Sequence, residues 1–272
     1  MSPVKEPRFF SNLAGNPGRG PGDAIFAQHS VGSFSDYCNL FKNSTGKKAV
    51  GEASVDNLRC YQEVIPAIKC YLGDPRIIII LRDPVTRAYS AYNHLVQNGR
   101  EHLPFADALI MEEKRKRDGY RGGWLYREGG LYAHQVRAFQ ENFSRVHVLL
   151  YDDLKLNANE LMRSVYTFLD VNPDFIPDMS IKHNVSGIPR WTFLNNLFIK
   201  PNRLRRVARN IGEAILGRNR WDRLRKRLRT TILQKPRSMD TQIEQQLRQF
   251  YHDDILKLQN YIGRDLSFWL RG

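Results

Sequence analysis

Apolar positions recur along the chain with two periods, and their order predicts the architecture. Ala49 to Ala53 reads as a short strand. Arg76 to Leu81 carries four consecutive isoleucines, which predicts a strand buried on both faces. His147 to Tyr151 is another apolar strand. Between and after these runs the period changes to that of a helix: Leu58 to Leu72, then Tyr132, Val136, Phe139 and Phe143, then Leu161, Val165, Phe168 and Leu169. Ile243, Leu247, Phe250, Ile255 and Leu258 predict a last amphipathic helix. The best-marked helix follows the isoleucine strand, with Asp83 as N-cap, Pro84 at the first helical position, a body from Val85 to Asn98 and Gly99 as the stop. Residues 11 to 48 are rich in Gly, Asn, Ser and Pro and read as a long loop with one short helix near Phe34 to Phe41. The charged run Glu112 to Asp118 shows no apolar face and reads as a solvated helix or loop. The order β-α-β-α-α-β-α implies an α/β fold, a parallel sheet flanked by helices.

Composition supports a folded chain. Its 272 residues are 42% hydrophobic, enough for a core in one large domain or two small ones, and no apolar run reaches a membrane span. Met1 to Arg8 has no apolar stretch resembling a signal peptide. Cys38, Cys60 and Cys70 cannot all pair and form no CxxC, so the expectation is a reducing, cytoplasmic setting, no structural metal, and cysteines buried as small apolar residues.

The net charge of +14 is local. Lys200 to Arg237 holds 14 basic residues against Glu213 and Asp222, and so carries +12 of it. Within this arm Leu204, Val207, Ala208, Ile211 and Ile215 recur at helical spacing opposite Arg205, Arg206 and Arg209. The expected division of a single domain is an α/β core over 1–199, a basic helical arm over 200–237, and a C-terminal helix packed on the core over 238–272. The arm reads either as a solvated surface helix with its apolar stripe in the core or as a surface for an anionic partner, an acidic glycan or an anionic membrane touched peripherally. Trp221 is the one aromatic interleaved in it, so no nucleic acid is expected.

Arg82 stands at the carboxyl end of the isoleucine strand, and Ser90 lies one to two turns into the next helix. Ligands of open α/β sheets bind at that end, and a helix N-terminus favours an anion. The whole string Arg82-Asp83-Pro84-x-x-Arg87-x-x-Ser90-x-Tyr92 resembles the 3′-phosphate-binding motif of sulfotransferases that use 3′-phosphoadenosine 5′-phosphosulfate (PAPS). Lys5 to Phe10, Gly51 to Ser54, Tyr151 to Leu154 with Phe168-Leu169, and more weakly Gly263 to Trp269 resemble the same family, especially its bacterial and heparan-sulfate-type branches.

The resemblance implies a P-loop-kinase-like sulfotransferase fold and transfer of a sulfuryl group from PAPS to a hydroxyl of a glycan, lipid or small molecule. It places Arg82 and Ser90 on the 3′-phosphate, Glu6 as general base, and Arg190, in the loop Lys182 to Arg190, over the nucleotide. Two features depart from the family. The first strand, Gly-rich lysine-bearing loop and helix are missing; Asn43 to Lys48 has the residue types but neither flanking element. Arg8 stands where heparan-type members often carry His. The other reading is therefore a non-catalytic or truncated relative that binds a 3′-phosphonucleotide or another polyanion. His29, His94 and His134 are fallback bases.

Overall fold

A computed structural model describes residues 1–13, 15, 18–177, 188–189, 217, 233–234 and 237–271. The N-terminal layer holds α1 (Phe9–Asn12), α2 (Asp23–Gln28), α3 (Phe34–Asn39), α4 (Asp56–Arg59) and α5 (Tyr61–Leu72). Then come β1 (Ile77–Leu81), α6 (Pro84–Gln97), α7 (Phe105–Ile110), α8 (Glu112–Arg117), α9 (Ala133–Asn142), β2 (Val146–Leu150), α10 (Tyr151–Leu156) and α11 (Ala158–Phe168). A two-residue ladder of β3 (Ile188–Pro189) with β4 (Leu233–Gln234) precedes α12 (Thr241–Ile262) and α13 (Phe268–Arg271).

The molecule is a helix-rich α/β protein with a parallel sheet. β1 and β2 run in register from Ile77↔Val146 to Leu81↔Leu150. The isoleucine strand is not buried on both faces. Ile79 and Leu81 face the core, but Ile78 and Ile80 are 39% and 52% exposed. The reason is coverage: α11 lies over β2, where His147 stacks on Phe168 and meets Ser164 at 3.3 Å, and nothing comparable covers β1 among the described residues. Ala49 to Ala53 is not a strand either. The Ser2 N–H donates to the Gly51 carbonyl, and Glu52 instead accepts from the hydroxyl of the next residue but one, Ser54, at 2.8 Å.

Side-chain caps set the helix limits. Asp83 accepts from the Val85 N–H at 2.9 Å and starts α6. Asp240 caps α12, and Gly263 in the left-handed region, φ 63°, ends it. One helix of the core caps another: Asp254 on α12 accepts from the N–H groups of Tyr132 and Ala133 at the start of α9. Leu247, Tyr251, Ile255 and Leu258 give α12 its buried stripe, while Phe250 turns outward. The closing segment docks through buried Leu266 and Trp269, whose indole donates to Asp152 at 3.0 Å.

Two further expectations are corrected. The Glu112 to Asp118 run is not merely solvated: α8 buries Glu112 and Arg115 on one side of its single polar turn pair. Glu112 accepts from the Arg127 and Glu128 N–H groups at 2.9 Å, and Arg115 pairs with buried Glu101. Such a face is invisible to a hydrophobicity pattern because ions, not alkyl groups, fill it. Cys38 and Cys70 are exposed, not buried, and Cys60 is half-buried; all are free thiols. The basic arm over 200–237, with its helix Leu204 to Ile215 and Trp221, lies almost wholly outside the described residues, as does Arg190.

Candidate active site

The first group of residues sits where β1 hands over to α6. Arg82 leaves the strand with its Nε donating to Thr86 Oγ1 at 3.1 Å and its guanidinium 5.6 Å from the Tyr151 ring centre. Tyr132 holds the Arg82 carbonyl from the core side at 3.0 Å. Thr86 and Ser90 are four residues apart on α6, so they share one face, with side chains leaning toward the helix N-terminus. Arg82, Thr86 and Ser90 therefore line one side of the first two turns, at the positive end of the helix dipole, although Pro84 has no N–H and Asp83 takes the Val85 and Arg87 N–H groups. The terminal nitrogens of Arg82 and the Ser90 hydroxyl make no hydrogen bond among the described residues. Asp83 is not paired with Arg82; its carboxylate caps the helix, and burial pushes its pKa up against the pull of the Val85 N–H.

Arg87, the second arginine of the motif, points the other way. It donates to the Tyr126 carbonyl and lies against Gly129, tying α6 to the turn before α9. β3 rests on α6, and from that helix the Tyr89 hydroxyl donates to the Arg237 carbonyl at 3.0 Å.

A second group lies in the N-terminal layer. Glu6 and Arg8 both have left-handed backbone, φ 54° and 55°, a conformation that non-glycine residues rarely adopt and that clusters at functional sites. Glu6 pairs with Arg8, not with the exposed Lys5, while Phe9 and Phe10 turn into an aromatic cluster with Tyr37. The strained turn is held from behind: Ser54 Oγ accepts from the Arg8 N–H at 3.0 Å and donates to Glu52 Oε2 at 2.8 Å. Burial raises the Glu52 pKa, Ser54 and Asn57 oppose the rise, and the neighbouring Glu6 charge adds to it. Arg8 also faces Asp56, which draws in Arg59 and Arg121. Among the described residues no hydrogen bond or ion pair joins Glu6 to Arg82 or Ser90. His29, His94 and His134 are all exposed.

Sequence reasoning named Arg82, Ser90 and Glu6 but missed Asp56, Arg59 and Arg121. The i, i+3 spacing of Asp56 and Arg59 was a weak signal; a lone arginine before Gly122 and Gly123 gave none.

A model of the sulfotransferase family matches residues 32–175, more than half of the chain. The crystal structure of a sulfotransferase from Alicyclobacillus acidocaldarius superposes with a TM-score of 0.75 at 31% sequence identity, over 99% of this chain and 87% of that one. No curated protein matches. No helix among the described residues is long and apolar enough to cross a membrane. With the β1–α6 junction lying inside the matched region, and a sulfotransferase covering nearly the whole chain, this protein belongs to the sulfotransferase family.

Proposed function

We propose that the protein transfers a sulfuryl group from PAPS to a hydroxyl of its acceptor. The observation that carries this reading is the common face of Arg82, Thr86 and Ser90 at the N-terminus of α6. The residues fit a 3′-phosphate. A tetrahedral dianion there meets the Arg82 guanidinium and the Ser90 hydroxyl at the positive end of the helix dipole, and the guanidinium gives charge-assisted bonds. Arg190, which follows β3, is assigned to the nucleotide as well.

PAPS, when bound, supplies the activated sulfuryl group. The protein's own work is alignment and proton removal, since transfer between oxygens needs the two oxygens in line and little covalent help. Glu6 takes the proton from the acceptor hydroxyl at one carboxylate oxygen, and Arg8 holds that carboxylate in place. Ser54, backed by Glu52, holds the Arg8 N–H of the left-handed turn and so fixes the arginine that pairs with Glu6. Three free thiols suit the reducing cytoplasm as the place of action. The basic arm of 200–237 is assigned to an anionic partner, glycan or membrane.

Calorimetry tests the donor site. Arg82→Ala should weaken binding of adenosine 3′,5′-bisphosphate by about 1.5–3 kcal/mol for each charge-assisted bond lost, and Ser90→Ala by less. Adenosine 5′-monophosphate should bind both variants like the parent chain. Unchanged affinity of Arg82→Ala for the bisphosphate removes the assignment.

A further inference from the structure

Three guanidinium groups converge on one carboxylate beside Glu6. Arg59 Nη2 lies 3.1 Å from Asp56 Oδ1, while Arg8 Nε and Arg121 Nη2 each lie 3.6 Å from Asp56 Oδ2. Arg8 reaches Glu6 with its other end. Within this ion-paired set three cations share two carboxylates, and the nearby Glu52 is taken up by Ser54 and Asn57.

The arrangement is poor as a purely structural ion cluster. Arg121 is 9% exposed, its contact with Asp56 is longer than a hydrogen bond, and its Nη1 has no hydrogen-bond partner. A buried guanidinium nitrogen with no hydrogen-bond partner is costly, and folded proteins satisfy nearly all such groups, so this one calls for an explanation. The backbone is also cut away to admit two of the arginines. A Cβ on Gly122 would lie 1.9 Å from the Arg59 guanidinium, and one on Gly18 would lie 2.1 Å from Arg121 Cγ. Arg8 and Arg59 still reach solvent, with side chains 13% and 22% exposed, so the cluster is open on one side.

We propose that Arg8, Arg59 and Arg121 form an oxyanion-binding subsite, next to Glu6, that receives a carboxylate or sulfate ester carried by the acceptor. Guanidinium forks match both groups bidentately, which fixes orientation as well as charge. Asp56 is the resident counter-ion that holds the three side chains in place and competes with the ligand for them. The inference rests on the reading of Glu6 as the group facing the acceptor hydroxyl: an anion anchored here sets a hydroxyl of the same molecule against that carboxylate. Acidic acceptors are thereby chosen over neutral ones.

The test uses the full chain without donor, titrated with methyl β-glucuronide, methyl β-glucoside and inorganic sulfate. The glucuronide should bind at least about tenfold tighter than the glucoside, the worth of one charge-assisted bond. Arg59→Gln and Arg121→Gln should each weaken the glucuronide by a similar factor. Asp56→Asn should tighten it several-fold, a gain that a merely structural Asp56 would not produce, and this variant decides the matter if Arg121→Gln does not fold. Inorganic sulfate should compete with the glucuronide; sulfate binding alone, with no preference for glucuronide over glucoside, overturns the acceptor role. Equal binding of the two sugars, no binding of either, or a loss of affinity in Asp56→Asn overturns it too. Adenosine 3′,5′-bisphosphate, measured on the same proteins, should bind all of them alike, so that failure at the Arg82 site is read separately.

Discussion

Replacing Glu101 by Gln probes the buried ion pair that fastens α8 to the rest of the protein. Glu101 and Arg115 are 4% and 6% exposed. Glu101 Oε1 accepts from the His102 and Leu103 N–H groups and from Arg115 Nη2, at 3.0–3.1 Å. Oε2 accepts from the Tyr126 hydroxyl at 2.8 Å and faces Arg115 Nη1 at 2.7 Å. Gln offers one oxygen and one NH2, so whichever way it is turned a donor is set against a donor, and the Arg115 charge stays buried without a counter-ion. Breaking a buried pair in this way costs about 3–5 kcal/mol. In a chain of this size that corresponds to a fall in Tm of about 6–20 °C. Urea unfolding and calorimetry at neutral pH measure both. Arg115→Met in the same chain removes the stranded charge, so the double variant should recover a coupling energy of about 1–3 kcal/mol. Acid gives an independent reading. Burial opposes the Glu101 charge, but the bonds from Arg115 and Tyr126 outweigh it and hold the carboxyl below its ordinary range. A depressed folded-state pKa contributes stability that is complete above the unfolded value of about 4.3 and is lost as pH falls through the folded one. The Glu101→Gln protein should therefore lose less stability than the parent on acidification. A cost under about 1 kcal/mol, where the buried-pair estimate requires several, or a double variant as weak as the sum of its singles, refutes the reasoning.

Glu6→Gln should lower sulfuryl transfer by about 10² to 10⁴, the range for loss of a general base, and leave bisphosphate binding intact; full turnover would point to another base. Asp254→Ala removes the bonds that cap α9 from α12 and should cost about 1–2 kcal/mol in urea unfolding, whereas Asp254→Asn, which keeps an acceptor, should cost less. Ile80→Lys on the open face of β1 should change stability by no more than about 0.5 kcal/mol and reduce concentration-dependent aggregation seen by light scattering; a large destabilisation would mean that the face is covered.

Local chemistry in the sequence determined those elements whose signals are contiguous. The Asp83-Pro84 start and Gly99 stop mark α6 to within a residue, because caps and fixed φ act within a single turn. Arg82 and Ser90 were legible for the same reason, as one strand end and one helix face. Burial was not legible in this way. Four isoleucines in a row say that a strand is apolar, but which of its faces is covered depends on where α11 lies, over β2 and not over β1. Ala49 to Ala53 reads as a strand but joins no ladder among the described residues; the Gly51 carbonyl accepts from the Ser2 N–H and Glu52 from the Ser54 hydroxyl, whose oxygen accepts from Arg8, some 46 residues away. Only the tertiary structure could show that Glu112 and Arg115 are interior, since their partners Arg127 and Glu101 are brought in by other segments. It alone also gathered Arg8, Arg59 and Arg121 around Asp56. Charges far apart in sequence carry no period, and their meeting is decided by the packing of the apolar elements that bear them.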